Sequence, residues 1–154
     1  MPELDEQQLT TRSVWENIRG SEALLKIYGY YPTLHDAYVV GMQIQFETRS
    51  LYMLFEYSDL VQRPGADEET ANRLIGIRWG KVATSELRIY ANDIYDMEFS
   101  RVGDFIETTF MSSFSICGSI RSQEIQVDLV DDSKRDQYSP NSTYLHTINF
   151  QLGD

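Results

Sequence analysis

A chain of 154 residues with 42% apolar side chains is long enough for one domain with a real core, and its mean hydropathy of −0.39 does not suggest wholesale disorder. Its 24 acidic against 13 basic residues leave a formal charge of −11, which repels phosphate backbones and anionic lipid and so disfavours direct nucleic-acid or membrane-surface binding. The single cysteine, Cys117, excludes an internal disulfide framework and a cysteine-rich zinc site.

Residues 1–10 are polar and read as loosely held. They lack the basic start and apolar run of a secretory signal, and no apolar stretch reaches membrane-spanning length, so a cytoplasmic protein is expected. In "SVWENIRG" Ser13 and Glu16 have capping-box spacing, which predicts a short helix ended by Gly20. Ser21 is placed to cap a second helix, "SEALLKIYG", with Leu24, Leu25 and Tyr28 on one face and Gly29 suited to the left-handed residue after the last turn. In "YYPTLHDA" Pro32 pushes Tyr31 into an extended conformation. Thr33 and Asp36 then match a further capping box, predicting one helical turn with Leu34 as a core plug.

After Asp36 the period changes to two. Val40, Met42, Ile44 and Phe46 alternate with polar residues or glycine, and "LYMLFEY" repeats the pattern through Leu51, Met53, Phe55 and Tyr57, so the two segments should form an antiparallel hairpin. "DLVQRPGADEETAN" reads as an acidic surface loop. Strands are then expected in "RLIGIRWGKV", "ELRIYA", "YDMEF", "FIETTFM", "SFSICGSI" and "EIQVDLV", with a last one in "LHTINFQL" after the polar stretch that opens the 131–154 extension. "NST" at Asn141 reads as a chance polar loop rather than a glycosylation site. Two short N-terminal helices followed by strands without βαβ alternation predict a single α+β domain, its helices packed on a meandering, mainly antiparallel sheet.

The usual catalytic patterns are missing. There is no nucleophile-elbow motif, and Gly76 and Gly80 lie inside a strand pattern rather than in a phosphate loop. The two histidines, His35 and His146, are far apart and cannot supply a metal site with Asp36 alone, so no metal, cofactor or catalytic residue is assigned. Cys117, in an apolar segment, reads as core filler.

The stretch "SEALLKIYGYYPTLHDAYVVGMQI" resembles the opening of the immunity protein 50 family of bacterial polymorphic toxin systems, whose members show G-[YF]-W-P-[ST]-[FL]-H-D-A-E-[VI] after a short helix. Gly29, Tyr30, Pro32, Thr33, Leu34, His35, Asp36, Ala37 and Val39 match, while Tyr31 replaces the usual Trp and Tyr38 the usual Glu. "SFSICGSIRSQEIQVDLV" is similar to the family's closing glycine turn and strand, so the resemblance spans roughly residues 20–130. It implies a stoichiometric inhibitor of a cognate toxin domain rather than an enzyme. A basic nuclease is the toxin class that the negative charge would suit.

Tyr30, Tyr31, His35 and the loop acids Asp67, Glu68 and Glu69 are the candidate partner-binding residues, and Pro32, Thr33 and Asp36 the structural motif. The tyrosines could equally pack beneath the helices, with the acids merely solvated. Two rival readings stay open: an interaction domain without a toxin partner, and a small hydrolase using His35 and Asp36.

Overall fold

The computed structural model describes residues 12–32, 34–58, 72–112, 115–130 and 148–152. Among these residues two short helices precede an antiparallel sheet of seven strands, an α+β fold. Helix α1 covers 12–16 and α2 covers Ser21–Tyr28; the strands are β1 (Tyr38–Gln45), β2 (Ser50–Ser58), β3 (Asn72–Ile89), β4 (Met97–Val102), β5 (Phe105–Phe110), β6 (Ile116–Val130) and β7 (Ile148–Leu152). The order across the sheet is β1-β2-β3-β6-β5-β4, and β7 joins β3. Strand β3 is long enough to pair β2 along its first half and β7 along its second. Among the described residues no helix is long and apolar enough to cross a membrane.

The helix ends depart from expectation. Ser13 already lies inside α1, where its carbonyl accepts from Asn17 Nδ2 at 2.8 Å, and Glu16 pairs with Arg12 at 3.3 Å instead of closing a capping box. Ser21 is the first helical residue of α2 and is buried, while left-handed Gly20 occupies the cap without a side-chain bond. Gly29 does end α2 as expected, left-handed, with its amide donating to Leu25 O at 2.8 Å. Leu24 and Tyr28 face the core, but Leu25 points out.

The β1–β2 hairpin forms in register, and Leu51, Met53, Phe55 and Tyr57 all enter the main core. Strand β1 is not a simple alternation. A bulge between Val39 and Gly41 advances the phase, so Val39, Met42 and Ile44 serve the core while Val40 joins Tyr52, Leu54 and Leu74 in a small cluster on the opposite face. Phe46 falls beyond the strand in the turn and is 72% exposed.

Four of the expected strands are two. "RLIGIRWGKV" and "ELRIYA" are one strand, β3, and "SFSICGSI" and "EIQVDLV" merge into β6. Each changes phase at the same level of the sheet. In β3 the core residues run Ile75, Ile77, Trp79, Val82, Ser85, Leu87 and Ile89, with Lys81 at φ 50 and a register shift between Val82 and Thr84. In β6 they run Ile116, Ile120, Ser122, Ile125 and Val127, so Gln123 and Glu124 both face outward.

Because Gly80 pairs with Glu124 and Val82 with Ser122, the two irregularities coincide and crease the sheet. The β1–β2 turn latches this crease. Arg49 donates from Nε to Val82 O at 2.8 Å and from an Nη to Ala83 O at 3.0 Å.

Beneath the crease, buried Trp79 donates from Nε1 to Thr108 Oγ1 at 2.9 Å and meets Phe110 edge-on, tying β3 to β5. From the helical side Trp15 enters the same core, edge-on to Phe99 with ring centroids 5.0 Å apart. The helices therefore cover the core face, as their position in the chain suggested.

Candidate partner-binding surface

After Gly29 the chain runs along the core before it turns. Tyr30 packs against Tyr28, and its hydroxyl lies 2.9 Å from the Tyr57 hydroxyl; Tyr31 stacks parallel on Trp15 with centroids 6.0 Å apart. Both rings are half-buried, and Pro32 is buried. Packing thus engages much of each candidate tyrosine.

The next residues form a tight turn rather than the expected helical one. Leu34 and Asp36 both adopt left-handed backbone conformations, φ 61 and 63, and Ala37 N donates to Leu34 O at 2.9 Å. Alternating left-handed residues cannot continue a right-handed helix, so Asp36 is no helix cap; Thr33 lies outside the described residues. A left-handed leucine costs roughly 1–2 kcal/mol. Full burial of its side chain contributes about 1.5–3 kcal/mol and offsets that cost.

The turn also docks on residues 92–94, the connection between β3 and β4. Asp36 N donates to Ile94 O at 2.8 Å, Ile94 N to Ala37 O at 2.7 Å and Val39 N to Asn92 O at 2.6 Å. Buried Ala37 and Ile94 lie beneath these bonds. With Leu34 and Ala37 pointing in, His35 and Asp36 between them must point out. Their side chains are 50% and 80% exposed.

His35 is nevertheless held. Its Nδ1 bonds the carbonyl of Tyr95, its ring meets the Tyr95 ring edge-on at 5.4 Å, and its Nε2 lies 3.4 Å from Asp36 Oδ2. A carbonyl can only accept, so Nδ1 donates to Tyr95 O, which fixes the orientation of the ring. Tyr95 is 60% exposed, and Tyr38, bridged to Asp93 across the same corner, is 52% exposed. The corner therefore displays aromatic bodies and an acid on a backbone pinned from two sides.

Tyr95 and Tyr38 were missed as binding candidates in the sequence. Tyr95 lies 60 residues from His35, and no local pattern connects "HDAY" to "NDIY". In the sequence Tyr38 stands out only as a departure from the family pattern. Asp67, Glu68, Glu69 and His146 lie outside the described residues. No three His, Cys, Asp or Glu side chains among the described residues converge as metal ligands, and Cys117 is half-buried.

Compared with family models, curated proteins and solved structures, the chain matches none.

Proposed function

We propose that this chain is an immunity-type protein of a bacterial polymorphic toxin system, akin to the immunity protein 50 family, which neutralises a cognate toxin domain by forming a stoichiometric complex without chemistry of its own. The observation that carries the reading is the His35 corner, where His35, Asp36, Tyr38 and Tyr95 stand out from a turn whose backbone is fixed. Rigid aromatic side chains beside a charge suit an interface anchor, because little conformational entropy remains to be lost on binding.

The charge of −11 fits a basic toxin surface, such as the nucleic-acid-binding face of a nuclease. Electrostatic steering of that kind speeds encounter and weakens as salt rises. The protein acts in the cytoplasm in this reading, where a nuclease toxin would meet its substrate.

The test is to seek a toxin gene beside this one and co-express its toxin domain with the protein, scoring growth rescue and a copurifying one-to-one complex; no such gene at any related locus would remove the reading. Rescue with an association rate that falls from low to high salt is expected. Absence of both rescue and complex would remove the reading.

A further inference from the structure

At the crease in the sheet β6 has a short open edge. Strand β5 stops pairing at Ser122, opposite Ile106, and the next backbone contact on that side is Val127 N donating to Arg19 O at 2.9 Å. Residues 123–125 lie between, an opening of about 10 Å at the usual strand rise. A cleft of about 370 Å³ lies here. Its lining includes half-buried Ile106 and the exposed residues Arg19, Arg78 and Gln126, over a floor of buried Ile18 and Ile125.

The two guanidinium groups decide what this cleft would take. Among the described residues neither Arg19 nor Arg78 has a carboxylate within ion-pair distance, although the chain holds 24 acids. The acid in the lining, Glu124, pairs with Lys81 at 3.1 Å. Both arginines are built into the frame: Arg19 bridges to Gln126, and Arg78 is the cross-strand partner of Gln126 in β3. Two guanidinium groups in the lining of one small cleft offer an anion charge-assisted donors, and guanidinium groups bind oxyanions through paired N–H donors.

We infer that this cleft binds a compact organic anion, with a phosphate or carboxylate head on Arg19 and Arg78 and an apolar body against Ile106. The opening is closed at one end by β5 and at the other by the Arg19 bridge, so a small molecule fits it and a through-running peptide strand does not. Its volume lies at the low end for small-ligand sites. None of the cleft's lining residues belongs to the His35 corner, so toxin binding and anion binding stand or fall separately.

The experiment is a titration of the full chain with phenyl phosphate, followed by NMR at the arginine Nε–H groups and the isoleucine methyls. Saturable shifts at Arg19, Arg78 and Ile106 are expected, weaker with inorganic phosphate and missing with phenol. Arg78→Gln and Arg19→Gln should each weaken binding about tenfold or more, the size expected for one charge-assisted pair. Arg101→Gln, at an exposed position on β4, should not change it. Equal shifts at Arg101 and the cleft arginines, or no shifts with phenyl phosphate, would overturn the site.

Discussion

Two turns in this protein press backbone against a strand-like segment, and they do so with opposite chemistry. The α1–α2 connection lies on β6 through Gly20, whose φ is 90 and whose missing Cβ would fall 2.0 Å from Val127 O. The Leu34–Ala37 turn lies on residues 92–94 through left-handed Leu34 and Asp36, neither of them glycine. At Gly20 the backbone itself is the contact and any side chain is excluded. At the second turn the side chains are the purpose: Leu34 anchors the turn, and His35 and Asp36 are shown to solvent. One turn is made for packing and the other for display.

Substitutions can break this contrast in order of size. Gly20→Ala combines a left-handed φ with a backbone collision and should destabilise the fold by about 3 kcal/mol or more, read from chemical denaturation. Leu34→Ala removes a fully buried anchor and should cost about 3 kcal/mol by the same measurement. Gly29→Ala meets nothing within 4 Å and bears only the conformational penalty, so about 1 kcal/mol is expected. Asp36→Gly keeps the left-handed conformation and removes an exposed carboxylate, so stability should stay within roughly 0.5 kcal/mol. If Gly20→Ala and Gly29→Ala cost the same, the collision with Val127 is relieved by local movement and the contrast fails.

Much of the architecture is legible in the sequence because alternation persists over most strands. The β1–β2 hairpin and the faces of β2 follow directly from it. Legibility stops where backbone geometry shifts the phase. The irregularity around Lys81 and Val82, and its counterpart at Gln123 and Glu124, interrupts the period and makes two continuous strands read as four. The capping boxes misled for a related reason. Ser13 and Thr33 have the right spacing, but spacing alone says nothing about φ, and the turn at Leu34 is stabilised by residues 92–94, which no local window contains. The same long-range docking supplies Tyr95 to the His35 corner. His35 itself was visible as a candidate, whereas its neighbour across the turn depends on tertiary contact.

The most direct measurement is the affinity of the toxin domain proposed as partner for the protein with His35→Ala and Tyr95→Ala combined, by calorimetry beside the unaltered chain. Both side chains are at least half exposed, so thermal stability should change little while affinity falls tenfold or more. Unchanged affinity in a stably folded double variant would contradict the assignment of this corner as the toxin-binding surface.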